Sequence, residues 1–173
     1  FTMMLVGSGN NESLALVREV GVSEATFVQQ MNEKARELGM HNTSFAGPIG
    51  LKPENVSTAY DVQILLNHAL QLEPIAERVQ LSQVATVSGN GHTYEVDSTN
   101  ALLETFMNEP PYRVIGGKTG SLEEAGYCLT TRIERDGHLV DVTVLGSSYP
   151  DARFQDVQDV VSWSFDVFEW DTN

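Results

Sequence analysis

Basic residues are scarce in this chain. Among its 173 residues, lysine and arginine together number 10 while aspartate and glutamate number 24, so the formal net charge is −14. Contacts to nucleic-acid phosphates need a basic surface, and the composition therefore argues against a nucleic-acid partner. We interpret the acidity as a solvated surface rather than as a functional feature.

Cysteine and long apolar runs are also lacking. Cys128 is the single cysteine, which excludes an internal disulfide, and its apolar neighbours predict a buried small side chain. No apolar run reaches roughly 18 residues, so no segment is predicted to span a bilayer. The 4 histidines are scattered without the spacing that zinc ligands show, and no metal site is expected.

The sequence also lacks the pattern of a phosphate-binding loop. Gly117, Lys118 and Thr119 would fit the end of such a loop, but Tyr112 stands where the pattern needs its first glycine. We therefore expect neither a bound nucleotide nor any other cofactor.

Residue patterns divide the chain into three stretches within one expected partial domain, 1–173. Residues 1–81 are predicted to be mainly helical, and residues 82–111 to hold a hairpin and a connecting helix. The dipeptide Asn90-Gly91 between two β-rich runs is the hairpin signal. Residues 112–173 are predicted to contain strands followed by a final helix.

The helix ends carry recognisable signals. Ser23 is a predicted N-cap, Gly39 is a predicted stop, and either Ser57 or Thr58 is expected to cap the next helix. Pro74 is placed to open a short helical turn.

The last stretch is predicted to pair two strands, 127–133 and 139–145, and then to form an amphipathic helix from about Asp151. The expected buried stripe of this helix comprises Phe154, Val157, Val160, Val161, Phe165 and Phe168.

The most informative stretch is Gly116–Ser121, which follows the β-branched pair Val114-Ile115. It predicts a fixed cation, Lys118, on an edge strand, followed by a hydroxyl and by a residue without a side chain. A glycine within a strand weakens packing, and one reason to keep it is the close approach of a ligand or another backbone. A lone Lys-Thr-Gly is short, however, and needs a partner elsewhere in the chain.

A candidate partner is the turn Ser8-Gly9-Asn10, between the end of one apolar helix and the start of another. A second Ser-Gly-Asn occurs at 88–90, and the predicted hairpin tip accounts for that copy fully. Ser-x-Asn together with Lys-Thr-Gly are two of the three motifs of the penicillin-binding proteins and serine β-lactamases.

The similarity extends beyond the two motifs, and the chain resembles the D-alanyl-D-alanine carboxypeptidases, the low-molecular-mass penicillin-binding proteins. The resemblance implies an α+β fold of the β-lactamase/transpeptidase type, in which a helical subregion packs on a mostly antiparallel sheet flanked by helices. The similar segments are Met4–Asn10, Met31-Asn32, Ala35, Glu37–Met40, Asn42-Thr43, Phe45, Gly50-Leu51, Ser57–Asp61, Lys118–Gly120 and Glu124–Cys128.

The resemblance also implies roles for the catalytic candidates. Ser8 would pass a proton towards the departing amine, Asn10 would contact the substrate backbone, and Lys118 would supply positive potential. The alternative for Ser8 is a helix cap, and the alternative for Asn10 is a structural role in the same turn.

The substrate-binding candidates lie further along the chain. Thr119 would bind the substrate carboxylate, Gly120 would leave room for the substrate strand, and the N–H of Ser121 would form half of an oxyanion hole. Arg153 would help to bind the carboxylate, with a surface arginine as the alternative. Ser121 departs from the larger residue common in the family, so the shape of the pocket edge differs.

The third motif of the family, Ser-x-x-Lys, is absent, because no serine here has a lysine three residues later. We interpret the chain as N-terminally truncated, with the nucleophile upstream of Phe1, and expect it to be inactive alone. The expected partners of the parent protein are stem peptides ending in D-Ala-D-Ala and β-lactams. Its expected location is extracytoplasmic, in the periplasm or cell envelope, with any membrane anchor outside these residues.

Two alternatives remain open at this stage. The same fold serves DD-endopeptidases that act on cross-linked peptidoglycan, and a non-catalytic relative would only bind peptidoglycan or a partner. Truncation is expected to expose the surface where the absent helix belongs, and this predicts weak self-association of the truncated chain.

Overall fold

The computed structural model describes residues 1–170. Helices precede strands along the chain, apart from one final helix. The helices are α1 Thr2–Val6, α2 Asn10–Glu19, α3 Glu24–Glu37, α4 Ala59–Leu70, α5 Glu73–Ala76 and α6 Ala152–Val167. The strands are β1 Gln83–Val87, β2 Thr93–Asp97, β3 Tyr112–Leu122, β4 Gly126–Arg135 and β5 His138–Ser147. None of the helices in the described part of the chain combines the length and apolar character that crossing a bilayer requires.

The predicted helix ends are confirmed. The Ser23 hydroxyl accepts the Thr26 N–H at 3.1 Å, and the Thr58 hydroxyl accepts the Asp61 N–H at 3.2 Å. Gly39 has φ = 83° just after α3, the left-handed conformation that ends a helix and that glycine adopts without strain. Pro74 lies in the first turn of α5, where its missing N–H leaves no helical bond unmade.

One buried carboxylate connects the loop after α3 to α4. Asp61 is 1% exposed, and its Oδ2 accepts the Asn42 N–H and the Thr43 hydroxyl, each at 2.7 Å. A buried carboxylate is tolerated when it is hydrogen-bonded, so these contacts fix the loop after α3 against α4.

The predicted hairpin around Asn90-Gly91 is also confirmed. β1 pairs antiparallel with β2 from Gln83↔Asp97 to Val87↔Thr93. Gly91 has φ = 82° at the tip, which explains why a glycine stands there. This pair forms a separate two-stranded sheet.

The main sheet contains three antiparallel strands in the order β3-β4-β5, with helices on both faces. On one face Arg132 of β4 donates to the Asn67 side chain of α4. On the other face Ile133 of β4 packs in a core cluster with Val157 and Val161 of α6. β3 has only β4 as a neighbour among residues 1–170, so Lys118 lies on an edge strand as predicted.

The segment between β2 and β3 differs from the predicted connecting helix. It forms two short 3₁₀ turns, Ala101–Glu104 and Phe106–Asn108, because the Asn100 and Thr105 side chains each accept a backbone N–H and restart the turn. Leu102 and Met107 from these turns are fully buried in the core. The core therefore depends on irregular segments as well as on α6 and the sheet.

Two predictions about burial are wrong. Val160 and Phe168 of the predicted stripe are 42% and 54% exposed, because α6 contacts the sheet along a narrower line and ends at Val167. Cys128 is half-buried rather than buried. It is the third residue of β4, and its Sγ lies 3.6 Å from the carbonyl oxygen of Ala125, in the turn before that strand.

Candidate active site

The turn between α1 and α2 presents Ser8 to solvent. Ser8 has φ = 57°, an uncommon conformation for a residue with a Cβ and one that often marks a functional turn. Gly9 is the N-cap of α2, so Ser8 does not cap the start of that helix. Asn10 is the first residue of α2 and is exposed on the same side of the turn.

Lys118 of β3 reaches this turn across 110 positions of sequence. Its Nζ donates to Ser8 Oγ at 2.7 Å and to the Thr119 carbonyl oxygen at 3.0 Å. The serine–asparagine turn and the Lys-Thr-Gly strand therefore form one site.

The electrostatic environment of Lys118 is unusual for a lysine. Burial of the ammonium, with a smaller contribution from the nearby Arg153 charge, lowers the pKa of Lys118 to about 8. General acid–base catalysis is most efficient when the pKa of the catalytic group lies near the operating pH, so the lowered pKa makes Lys118 better suited to proton transfer than an ordinary lysine.

The strand after Lys118 changes from buried to open. Thr119 is 8% exposed, and its Oγ1 lies 2.6 Å from Thr99 Oγ1. Gly120 and Ser121 are exposed, and a Cβ placed on Gly120 would meet only the Cys128 Cβ, at 3.9 Å. The glycine is therefore not required by internal packing, and its bare backbone leaves the outer side of the strand open to an approaching molecule.

Arg153 reaches the same strand from the first turn of α6. Its Nη1 donates to the Gly120 carbonyl oxygen at 3.0 Å and to that of Cys128 at 3.4 Å. The guanidinium lies 5.6 Å from the Tyr127 ring centroid and 4.8 Å from that of Phe154. Its Nε is buried and has no partner among residues 1–170, and this desolvation lowers the pKa of Arg153.

These elements enclose a cleft of about 900 Å³. All the residues predicted from sequence as site residues line it: Ser8, Asn10, Lys118, Thr119, Gly120, Ser121 and Arg153. The opposite wall is mainly apolar and includes Phe27, Ile49 and Leu51. Two cations, three hydroxyls and an open strand edge facing an apolar wall suit an extended ligand that carries an anionic group.

Two parts of the cleft were not predicted. Thr99 contacts Thr119, but no motif or spacing distinguishes it in the sequence. The wall at Pro48–Leu51 was not predicted as part of a site, although Gly50-Leu51 is among the segments that resemble the family. Among residues 1–170, no group of three histidine, cysteine or acidic side chains is arranged to hold a metal ion.

Comparison with known sequences agrees with this geometry. The sequence model of the D-alanyl-D-alanine carboxypeptidases matches residues 1–148 of this chain. The chain belongs to the D-alanyl-D-alanine carboxypeptidase family.

The relatives of this carboxypeptidase-family chain include proteins named carboxypeptidases and proteins named endopeptidases. It is 33% identical over 165 residues to the D-alanyl-D-alanine carboxypeptidase DacF of Bacillus subtilis, which covers 95% of this chain. It is 34% identical over 126 residues to a D-alanyl-D-alanine endopeptidase of Haemophilus influenzae, which covers 73% of this chain. In both comparisons the chain spans 41% of the relative's length.

Solved structures confirm the fold class expected for the family. The Streptomyces K15 DD-transpeptidase superposes with a TM-score of 0.85 and 28% identity, over 96% of this chain and 66% of that one. Penicillin-binding protein D2 of Listeria monocytogenes, in a cefotaxime-bound form, superposes with a TM-score of 0.78 and 29% identity. That match covers 95% of this chain and 64% of the Listeria chain.

Proposed function

We propose that the protein to which this chain belongs is a serine-type D-Ala-D-Ala carboxypeptidase that acts on peptidoglycan stem peptides. The observation that carries the proposal is the 2.7 Å contact between Lys118 Nζ and Ser8 Oγ inside the cleft. Family membership and the lowered pKa of Lys118 support it. We further propose an extracytoplasmic location, because peptidoglycan lies outside the cytoplasm.

The chemistry would be acyl transfer through a serine that lies outside these 173 residues. The serine oxygen would bond to the carbonyl carbon of the penultimate D-alanine, and the C–N bond to the last D-alanine would break. The serine proton would pass through Ser8 and Lys118 to the departing amine. Water would then cleave the ester and release the shortened peptide.

The terminal carboxylate of the substrate would lie at the cationic end of the cleft. The Thr119 hydroxyl would donate to it, and the charges of Lys118 and Arg153 would attract it. The open edge at Gly120 would let the substrate add as an extra strand. The Ser121 N–H would supply half of an oxyanion hole, and loss of one such donor slows acyl transfer by about 10²–10³-fold.

β-Lactams would occupy the same cleft, because they combine a carboxylate with a reactive amide carbonyl. A relative that covers most of this chain was solved with cefotaxime bound, which supports this part of the proposal. The β-lactam would acylate the same serine.

The deciding experiment uses fluorescent penicillin on two proteins, the product of the complete reading frame and this 173-residue chain. We expect covalent labelling of the former and none of the latter. Lys118→Met in the complete protein should abolish labelling. Lys52→Met should not, because Lys52 is an exposed lysine of the loop between α3 and α4 and does not line the cleft. Absence of labelling in the complete protein would contradict the proposal and favour a non-catalytic relative.

A second candidate is a DD-endopeptidase, because the Haemophilus relative that bears this name has a similar percentage identity to this chain, 34% against 33%, although over fewer residues. Release of free D-alanine from a pentapeptide identifies the carboxypeptidase. An enzyme that cleaves a cross-linked peptide dimer but leaves the pentapeptide uncleaved is an endopeptidase.

We also propose weak self-association of this chain through β5. β5 has only β4 as a neighbour among the described residues, and Leu139 and Leu145 on it are 52% and 42% exposed. Asp141, the acidic residue of β5, is paired with Arg132 at 2.6 Å. A two-fold antiparallel pairing centred on Val142 would set Leu139 of one copy opposite Leu145 of the other without adding an unpaired charge.

A further inference from the structure

Thr99 connects the two halves of the site. It lies just after β2, and its backbone N–H donates to the Val6 carbonyl oxygen at 3.1 Å, two positions before Ser8. Its Oγ1 lies 2.6 Å from Thr119 Oγ1, one position after Lys118. A single residue therefore contacts both the helix that leads into the serine turn and the strand that carries the lysine.

The contact between the two hydroxyls has a consequence for protons. Each threonine hydroxyl has one proton to donate and two lone pairs to accept, and only one proton lies between the two oxygens. If Thr119 donates to Thr99, the Thr119 proton is used and none is directed into the cleft. If Thr99 donates, the Thr119 proton is free for a ligand.

A carboxylate in the cleft would select between these arrangements. An ionised carboxylate only accepts hydrogen bonds, so it favours the arrangement in which Thr99 donates to Thr119 and Thr119 donates to the carboxylate. Hydrogen bonds in such a chain polarise and strengthen one another, especially at a position as buried as Thr119. An uncharged amide group in place of the carboxylate would benefit much less.

We propose that Thr99 is a positioning residue that makes the cleft selective for a carboxylate, by holding the Thr119 hydroxyl ready to donate. The inference rests on the proposed function, because it assumes that the cleft binds a peptide with a free carboxyl terminus. Thr99 itself would not contact the reacting carbonyl.

The test compares two ligands, acetyl-D-Ala-D-Ala and its C-terminal amide, titrated into this chain and followed by NMR. We expect the unaltered chain to prefer the carboxylate. Thr99→Val keeps the size of the side chain and the backbone bond to Val6 but removes the hydroxyl, and should weaken carboxylate binding about tenfold with little change for the amide. Thr99→Ser retains the hydroxyl and should keep most of the preference.

The outcomes separate the two proposals. A chain that binds neither ligand, or both equally, would overturn this inference, whereas the proposed function is tested separately by penicillin labelling of the complete protein. A carboxylate preference that survives Thr99→Val would overturn the role of Thr99 alone. If Thr99→Val lost affinity for both ligands equally, Thr99 would have only a structural role, and the inference would also be overturned. If Thr99→Val does not fold, as judged by circular dichroism, Thr99→Ala serves as the second variant with the same criteria.

Discussion

The two outer strands of the main sheet, β3 and β5, share a geometry but differ in chemistry. Each is paired on one side only within residues 1–170, so each presents backbone donors and acceptors along an open edge. β3 carries Lys118, Thr119 and Gly120 on its edge, beside the cleft. β5 carries exposed leucines and a carboxylate already neutralised by Arg132.

The side chains on each strand therefore determine what its open backbone edge can bind. On β3 a cation and a glycine make the edge suitable for a small anionic peptide and unsuitable for a second protein strand. β5 contains neither lysine nor proline, two residues that usually protect an edge, and its one carboxylate is paired with Arg132, so this edge suits another β-strand. The predictions below test this contrast.

The largest effect is expected when the cation of the β3 edge is removed. In the complete protein, Lys118→Met should slow acylation by penicillin by about 10²–10⁴-fold, because proton transfer and carboxylate attraction are lost together. Stopped-flow or gel-based acylation kinetics would measure it, with Lys52→Met as the control. If the Lys118→Met protein were acylated within a few-fold of the rate of the unaltered protein, the proposed catalytic role of the β3 edge would be wrong.

A large but smaller effect is expected when the β3 edge is obstructed. Gly120→Val should weaken binding of acetyl-D-Ala-D-Ala about tenfold or more, because the added side chain occupies the approach to the strand. Stability should change little, since the new Cβ meets only the Cys128 Cβ at 3.9 Å. The matched control is Gly89→Val at the hairpin tip, where a Cβ meets no atom within 4 Å. Equal binding by both variants would show that the edge is not the binding surface.

We expect Lys118 to lower the free energy of unfolding at neutral pH. Folding lowers the pKa of Lys118 from 10.5 to about 8, so the unfolded chain binds more protons between these values and stability should rise as the pH increases through them. At pH 7 Lys118→Met should therefore raise the free energy of unfolding by about 1–2 kcal/mol, and the gain should shrink towards pH 10. Urea unfolding at both pH values measures it, and a gain that does not vary with pH would contradict this origin.

The smallest effect is expected at the other edge. Leu139→Lys on β5 should reduce self-association by a few-fold, because it places a charge at the proposed pairing surface. Light scattering and sedimentation over a concentration series would detect it, and peptide binding in the cleft should not change. Leu72→Lys, at a similarly exposed leucine outside the sheet, is the control. A chain that is strictly monomeric at high concentration would contradict self-association itself.

Much of the fold could be predicted from local signals. The caps at Ser23 and Thr58, the stop at Gly39 and the hairpin at Asn90-Gly91 all depend on residues within a few positions of one another, and all are confirmed. The burial of α6 and Cys128 was predicted less well. The exposure of Val160 and Phe168 depends on how the helix lies across the sheet, which its own periodicity does not specify.

The chemical groups of the site could be read from the sequence: a cation, a hydroxyl and a bare backbone in consecutive positions of a strand, and a serine at a glycine-flanked turn. That Lys118 and Ser8 meet at 2.7 Å, and that Thr99 contacts Thr119, followed only from the folded arrangement. The two kinds of feature differ in the sequence separation of the residues that form them. Caps and turns are stabilised by bonds between near neighbours, whereas contacts across 20 or 110 positions exist only after the helices and the sheet have packed together.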